Sequence, residues 1–296
     1  MLSANFKRKK LPYGYRVTHV DGRKVPHLDK LRIPPAWTQV QVDPNPRATV
    51  LAVGYDEAGR KQRLYSPDHI ANAKSSKFER VRGLLTEWED IRTQIEGDLN
   101  DKHAHPKDRE CALMALLIYE TGIRPGGVKS ARGDASQEGT ATFGASTLQL
   151  RHVKPCDRGV RLKFVGKKGV DQNILVTHPH LVREFKRRKK ASTAWSTPLF
   201  EYSVSSLHVY FDRLGSGIFT PKDFRTARGT SLALELLGHR KRVPKAKSKQ
   251  RKVVNDALDK VAKMLGNTRA VSRNSYVDPN ILSRFLPSLP AGAGGR

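Results

Sequence analysis

The N-terminal part of the chain carries the alternating polar and apolar pattern of β-strands, interrupted by turn-forming residues. Asp21-Gly22 is a two-residue hairpin signal, and Gly59 marks a second turn. The segments around these turns predict a small antiparallel sheet between about residues 12 and 66. The predicted strands are residues 14–20, 23–25, 38–42, 49–55 and 61–65.

From about residue 69 onward, apolar residues recur at helical spacing. Phe78, Val81 and Leu84 begin a pattern that continues towards Leu99, which predicts one helix through this region. Residues 109–121 are apolar on several faces, as expected of a helix buried in a core.

The chain therefore divides into two predicted domains. Residues 1–72 would form a β-rich domain, and residues 73–296 a larger, mainly helical one, because turn-forming residues interrupt the pattern near this point. Within the second domain, residues 147–153, 160–165 and 170–176 predict a small three-stranded sheet. The expected fold class is α+β.

The composition indicates a polyanionic partner. The 296 residues include 55 Lys and Arg against 28 Asp and Glu, a formal net charge of +27 that repels itself unless a polyanion screens it. Two basic runs, 186–190 and 240–252, are typical of solvated faces or mobile loops. Nucleic acid is the expected partner, since a basic amphipathic helix or lipidation signal for an anionic membrane is not found.

Other features of the sequence indicate the location of the protein and the types of site that are not expected. No apolar run approaches the roughly 18 residues of a membrane-spanning helix, and residues 1–7 lack an apolar signal region, so we expect a cytoplasmic protein. Cys111 and Cys156 lack the spacing of metal ligands. Neither a disulfide framework nor a zinc site is therefore expected. The glycine-rich tail, 291–295, should be disordered.

One stretch near the C-terminus combines a tyrosine with arginines. Arg269 and Arg273 precede Tyr276, and a tyrosine hydroxyl becomes a useful nucleophile only where its surroundings stabilise the developing charge. Asn267-Thr268 indicates a helix N-cap and Asp278-Pro279 the start of another helix, so Tyr276 should lie at the end of a short helix. Taken alone, the pattern also fits an amphipathic tyrosine packed at a helix end.

Two further cations lie where the chain should turn. Because Arg124 precedes a proline, the buried helix should stop near Gly122 and hold the guanidinium on a fixed turn. There Arg124 could bind a phosphate in bidentate fashion or simply cap the helix. Lys167 lies at a predicted hairpin tip between two glycines. It could reach into a groove and donate a proton, or remain in solvent.

The remaining candidates are Lys222, Arg225 and Asn267. Lys222 and Arg225 are three residues apart, which on a helix places both cations on one face, either sharing an anion or forming a solvated basic surface. Asn267 is nine residues before Tyr276, a spacing that would put them on opposite faces of one straight helix. Asn267 must therefore precede the helix proper if both serve one site; otherwise it is a plain N-cap.

The order of these residues resembles the catalytic pattern of type IB DNA topoisomerases, specifically the compact poxvirus-like enzymes also found in bacteria. The resemblance covers nearly the whole chain and includes further landmarks in the family's order. Its segments are residues 33–37, 59–62, 77–78, 121–124, 163–167, 224–226 and 266–276.

This resemblance implies a role for each candidate. Tyr276 would attack a DNA phosphodiester, Arg124 and Arg225 would hold the non-bridging oxygens, and Lys167 would protonate the leaving 5′-oxygen. Asn267 would donate a hydrogen bond to a phosphate oxygen, because an asparagine side chain can donate but does not titrate. No ATP, metal or other cofactor is implied.

The resemblance also implies how DNA is bound. The two domains of a monomer would form a clamp around duplex DNA, mostly through phosphates. Gln62, Arg63 and Tyr65 match the family's groove-contacting segment, and Lys222 is a further candidate DNA contact.

Two alternatives share part of the pattern. A tyrosine recombinase uses similar residues but usually carries His-x-x-Arg, whereas this chain has Lys222 at the histidine position. Leu237-Gly238-His239 resembles another recombinase motif, yet nine residues beyond His239 lies Ser248 rather than a tyrosine. A non-catalytic DNA-binding protein is the other alternative, and the presence of all five candidate residues argues against it.

Overall fold

The structure, a computed structural model, describes residues 6–11, 14–19, 31–132, 141–192, 194–238 and 243–286. The chain forms two compact units, Met1–Ser76 and Lys77–Arg296. The boundary expected at residues 72/73 falls inside helix α1, Pro67–Thr86, which begins in the first unit and ends in the second. The division into domains 1–72 and 73–296 stays a prediction.

The first unit contains two small antiparallel sheets. Strands β1 and β2 pair with each other, and β3, β4 and β5 form a separate sheet in that order. Ile33, Trp37, Val42 and Ala52 form a small core beside the second sheet. The strand bounds are Phe6–Leu11 (β1), Gly14–His19 (β2), Thr38–Val42 (β3), Val50–Tyr55 (β4) and Lys61–Tyr65 (β5).

The strand predictions of this region are largely confirmed. The strands predicted at residues 38–42, 49–55 and 61–65 are β3, β4 and β5. The turn between β4 and β5 uses Gly59 at φ 70°, a conformation that glycine adopts without strain. The hairpin predicted across Asp21-Gly22 lies outside the described residues, while β2 pairs with β1 on its N-terminal side.

The single helix predicted towards Leu99 is wrong, because the chain forms two helices. Helix α1 ends at Thr86, and α2, Trp88–Asn100, begins after Glu87 at φ −84° and ψ 1°. Glu87 also makes a tertiary contact at this junction, where its carboxylate accepts a hydrogen bond from the backbone N–H of Ser216 at 2.9 Å.

Helix α3, Pro106–Thr121, is the centre of the second unit, and the prediction of a buried helix there is confirmed. It packs against α2 and later helices, and its residues from Cys111 to Ile118 are all buried. Gly122 ends the helix in the left-handed conformation, φ 66°, with its N–H donating to the carbonyl of Ile118. The helix therefore stops where the Arg-Pro sequence predicted.

A three-stranded antiparallel sheet follows: β6, Val153–Cys156; β7, Gly159–Gly166; and β8, Val170–Val176, in that order. The strands predicted at 160–165 and 170–176 are confirmed. The strand predicted at 147–153 is wrong, since this segment forms 3₁₀ turns up to His152. The backbone here instead bonds residues 197–199, as the N–H of Leu150 donates to Thr197 and that of Leu199 to Leu148.

The remaining helices complete the unit. Of the basic runs, 186–190 lies in α5 and 247–252 in α8, where most of these side chains are exposed. A second core joins α7, α8 and the segment after Tyr276. The helices are Val128–Ala131 (α4), Pro179–Ala191 (α5), Val204–Phe211 (α6), Pro221–Gly238 (α7), Lys247–Leu265 (α8), Arg269–Ser275 (α9) and Pro279–Ser283 (α10).

The architecture confirms the predicted α+β class, with a β-rich N-terminal part and a mainly helical remainder carrying a small sheet. In the part of the chain that the structure describes, no helix is both long and apolar enough to span a bilayer.

Two glycine substitutions should have opposite effects on stability. A Cβ at Gly122 would lie 2.5 Å from Leu265 Cδ2 on a left-handed backbone, and that conformation alone costs an L-residue roughly 1–2 kcal/mol. Around Gly97 in α2 a Cβ meets open space, so alanine there should gain about 0.5–1 kcal/mol. Thermal denaturation should show a lower Tm for Gly122→Ala and a higher Tm for Gly97→Ala, by roughly 2–4 °C per kcal/mol. Equal shifts would contradict the left-handed end of α3.

Candidate active site

Tyr276 lies between two short helices, as the sequence predicted. Thr268 caps α9 by accepting a hydrogen bond from the N–H of Val271 at 3.2 Å, and Asp278 caps α10 by accepting from Asn280 at 2.9 Å. Tyr276 follows the last residue of α9 with φ −132° and ψ 0°. Its position is therefore set by the helix ends on both sides.

Helix α7 contacts the backbone of Tyr276 through Thr230 and Gly229. The hydroxyl of Thr230 donates to the carbonyl of Tyr276 at 3.2 Å. Gly229 lies so close that a Cβ there would be 2.7 Å from the same carbonyl oxygen. The absence of a side chain at Gly229 lets the tyrosine segment approach α7.

Arg225 is the buried cation beside this tyrosine. Its side chain is on α7 with the residue 2% exposed, and its guanidinium carbon lies 4.9 Å from the centroid of the Tyr276 ring. The two terminal nitrogens donate to the carbonyls of Gly122 and, at 2.6 Å, of Leu265. The buried Nε has no hydrogen-bond partner among the described residues. One N–H of a buried charge is thus unpaired.

The surroundings of Arg225 disfavour its charged form. Burial, followed by the neighbouring positive charge of Arg124, lowers the pKa of Arg225 to about 10, while Tyr276 acts in the opposite direction. Two cations facing one region at short range disfavour each other's charged form, so an anion between them would relieve the repulsion.

Arg124 and Asn267 form a pair next to this cation. Arg124 leaves the end of α3, and its Nη2 donates to Asn267 Oδ1 at 2.5 Å. Asn267 lies in the link between α8 and α9, ahead of the helix that leads to Tyr276, as predicted. Its Nδ2 is buried without a hydrogen-bond partner among the described residues. Arg124, Arg225, Asn267 and Tyr276 therefore converge, and two of them carry an unpaired N–H.

Among the described residues, Lys167 is not joined to this cluster by a hydrogen bond, ion pair or ring contact. It is exposed at the β7–β8 turn, beside Lys168 at φ 66°. The hairpin nevertheless packs beside the Asn267 loop, because a Cβ on Gly266 would lie 2.5 Å from Gln172 Nε2 of β8. Lys167 thus belongs to a hairpin that contacts the loop carrying Asn267, although Lys167 itself lies in solvent.

The candidate DNA contacts lie in different settings. Lys222 is exposed at the start of α7, whereas Arg225 on the same helix is buried. In β5, Arg63 and Tyr65 are on the exposed face, and Tyr65 stacks on His69 with ring centroids 4.9 Å apart. Gln62 lies on the opposite face and donates to Asp56 at 2.8 Å.

Helix α1 supplies contacts that sequence reasoning missed. Arg82 forms an ion pair with the buried Asp278 at 2.8 Å, and Lys77 Nζ donates to the carbonyl of Ser275 at 2.9 Å. Both contacts flank Tyr276. The sequence pattern gives Lys77 no role beyond its place in the 77–78 motif, and no local spacing predicts the Arg82–Asp278 pair, whose members are 196 residues apart in the chain.

A cavity of about 590 Å³ lies elsewhere in the second unit, between α5 and the start of α3. The carboxylates of Glu110 and Glu184 in its wall are paired with a cation, since both accept hydrogen bonds from Arg188. Hydrogen bonds from Arg187 lower the pKa of Glu184 to about 2. Across the described ranges, no group of three or more His, Cys, Asp or Glu side chains could hold a metal ion.

Comparison with known families decides the assignment. Residues 66–284 match the family model described as the catalytic core of eukaryotic DNA topoisomerase I, and residues 12–56 match the N-terminal domain of bacterial DNA topoisomerase IB. The chain belongs to the type IB DNA topoisomerases. It is thus an isomerase whose substrate is DNA.

Viral type IB topoisomerases are among its relatives. The chain is 30% identical to DNA topoisomerase 1B of Acanthamoeba polyphaga mimivirus over 274 residues, which cover 87% of this chain and 79% of that protein. It is 22% identical to DNA topoisomerase I of Monkeypox virus over 236 residues, 79% of this chain and 71% of that one. With DNA topoisomerase 1 of Rabbit fibroma virus it shares 23% identity over 269 residues, 86% and 79% of the two chains.

If the topoisomerase holds two unpaired donors for an oxyanion, sulfate should stabilise it. At about ten times its dissociation constant, sulfate would add roughly 1.4 kcal/mol, or about 3–6 °C in Tm. Sodium chloride of equal ionic strength is the control salt. Arg124→Ala should lose the shift, and Arg92→Ala, at an exposed position of α2, should keep it. The same shift with chloride, or in the Arg124 variant, would contradict an anion site here.

Proposed function

We propose that this topoisomerase relaxes supercoiled duplex DNA by cutting one strand through Tyr276, letting that strand rotate, and sealing it again. The observation that carries the proposal is the buried Arg225 guanidinium, 4.9 Å from the Tyr276 ring centroid, beside the Arg124–Asn267 pair. A phosphodiester is the anion whose charge and size suit these donors.

In the proposed step, the Tyr276 hydroxyl oxygen attacks the phosphorus of one DNA strand. A 3′-phosphotyrosyl ester forms as the bond to the 5′-oxygen breaks, and the strand end leaves as a 5′-hydroxyl. One ester replaces another, so the reaction needs no ATP. Religation is the reverse step, in which the 5′-hydroxyl attacks the phosphotyrosine after rotation.

Arg124 and Arg225 would stabilise the negative charge that builds on the non-bridging oxygens. Donors that are already oriented and shielded from water stabilise a transition state without reorganising, usually the largest single contribution to catalysis. The Arg225 guanidinium is oriented by two carbonyls, which supports this role. Because the protein supplies these cations, we propose that the reaction proceeds without a metal ion.

Asn267 and Lys167 would complete the site. Asn267 uses its Oδ1 to orient Arg124, and its unpartnered Nδ2 would donate to a phosphate oxygen. Lys167 would protonate the leaving 5′-oxygen, since its turn is flanked by glycines and its hairpin packs beside the Asn267 loop. Bound DNA would bring the exposed ammonium to the scissile bond.

A monomer would bind duplex DNA as a clamp formed by its N-terminal and catalytic parts. The net charge of +27 supports extensive phosphate contact, and affinity should therefore fall steeply with salt. Arg63 and Tyr65 present an exposed face of β5 for such contacts. Gln62 would contact DNA from the opposite face of the strand, and the exposed Lys222 would bind a phosphate near the catalytic centre.

The test of the proposed function is relaxation of supercoiled plasmid without ATP and with chelator to remove magnesium. Stepwise conversion to relaxed topoisomers is expected. A recombinase would instead join strands of different partners, and a DNA-binding protein would shift the plasmid without relaxing it. Either result would reject the proposal.

Tyr276→Phe should abolish the covalent protein–DNA adduct while leaving DNA binding nearly unchanged. Phenylalanine keeps the ring beside Arg225 and removes only the attacking oxygen. Denaturing electrophoresis of protein mixed with end-labelled DNA measures the adduct, and filter binding measures affinity. Tyr202→Phe is the matched control and should form adduct normally. An adduct from the Tyr276 variant would show that another group is the nucleophile.

Lys167→Ala should slow cleavage by about 10²–10⁴-fold, the usual contribution of a general acid. A substrate with sulfur in place of the leaving 5′-oxygen should restore most of the rate, because a thiolate leaves without protonation. Lys168→Ala, at the adjacent exposed position, should cleave both substrates normally. Single-turnover cleavage rates provide the comparison, and equal defects of the Lys167 variant on both substrates would exclude it as the acid.

A further inference from the structure

Trp195 is a large aromatic side chain on the surface, 64% exposed, in the loop that follows α5. Its backbone is held at Trp195 itself and at Thr197, two residues later. The carbonyl of Trp195 accepts from the N–H of Arg151 at 2.9 Å, and the carbonyl of Thr197 accepts from that of Leu150 at 2.9 Å. The ring is therefore presented to solvent from a fixed stretch of chain.

Two lysines from different elements flank this ring. Lys189 Nζ, from α5, lies 4.9 Å from the ring centroid and is itself fixed by donating to the carbonyl of Leu150 at 3.0 Å. Lys154 Nζ, from β6, lies 5.2 Å from the centroid. We refer to Lys154, Lys189 and Trp195 as the Trp195 patch.

The Trp195 patch is separate from the catalytic cluster. Lys154 pairs with Arg161 across β6 and β7, whereas Lys167 follows the opposite end of β7. From Arg161 to Gly166 the strand advances roughly 3.3 Å per residue, about 17 Å in all. Lys154, beside the start of β7, and Lys167, after its end, are thus well separated.

We propose that the Trp195 patch binds an unpaired segment of DNA, with the indole stacking on a base and the cations contacting the adjoining phosphates. An exposed aromatic ring among cations is the arrangement that binds single strands without sequence preference. Paired bases inside a duplex have both faces covered by their neighbours, so stacking selects single-stranded DNA. This contact is additional to the duplex relaxed at Tyr276.

Tryptophan fluorescence reports directly on the proposed contact. The chain has three tryptophans, and Trp37 is only 9% exposed while Trp88 stacks on Tyr119. Titrating the full-length protein with oligothymidylate should quench Trp195 emission in a saturable manner. Trp195→Phe should remove this quenching while the emission of the other two tryptophans remains.

Affinity and activity measurements complete the test. Trp195→Ala should weaken binding of the same oligothymidylate at least about fivefold, since stacking on one aromatic ring is worth roughly 1–3 kcal/mol. Plasmid relaxation by that variant should be unchanged. Val209→Ala, at an exposed apolar position of α6, is the matched control and should keep both properties.

Three outcomes would overturn the proposal. One is equal quenching by an abasic deoxyribose-phosphate polymer, which would reduce the patch to a non-specific cationic contact. Another is equal quenching by a blunt duplex. The third is loss of plasmid relaxation in Trp195→Ala, which would place the ring in the duplex site. The first two outcomes are binding measurements that do not depend on Tyr276 being the nucleophile, so failure here and failure of the proposed mechanism are distinguishable.

Discussion

The arrangement of helices around Tyr276 depends on a single buried guanidinium. Arg225 donates to the carbonyl of Gly122, where α3 ends, and to that of Leu265, where α8 ends. Carbonyls at a helix C-terminus lack intrahelical partners and carry partial negative charge. One cation therefore pairs with a carbonyl at each of two helix ends, and these two hydrogen bonds offset part of the cost of burying its charge. Because Arg225 is on α7 and faces the ring of Tyr276, three helices and the tyrosine segment share one side chain.

The same arrangement leaves the site electrostatically incomplete. The helix ends use the terminal nitrogens of Arg225, while its Nε and the Nδ2 of Asn267 remain without partners among the described residues. Arg124 adds a second positive charge, and repulsion from it contributes to the lowered pKa of Arg225. Folding thus builds a group of oriented donors whose natural complement is an anion, and the proposed phosphodiester would supply it.

Local rules predicted those parts of the structure that local interactions determine. The Arg-Pro sequence located the end of α3 at Gly122, and capping residues located Asn267 ahead of α9 and Asp278 at the start of α10. Tertiary contacts decided the rest. The expected strand at 147–153 gave way to backbone bonds with residues 197–199, and the chain breaks between α1 and α2 where Glu87 contacts a distant loop. The positions of four candidate residues around one point agree with the predicted grouping, while their chemical roles stay predictions.

Helix α1 has a consequence for how the gene for this protein can be divided. The buried Ser66 caps α1, accepting hydrogen bonds from His69 at its side chain and from Ile70 at its carbonyl. Eleven residues beyond Ser66, the same helix contributes Lys77, and five residues later Arg82, to the residues around Tyr276. A coding segment that begins at residue 73 would start inside a helix, without its cap. A segment exchanged between relatives should therefore begin at Ser66, so that α1 keeps its cap and the contacts of Lys77 and Arg82 next to Tyr276 are retained.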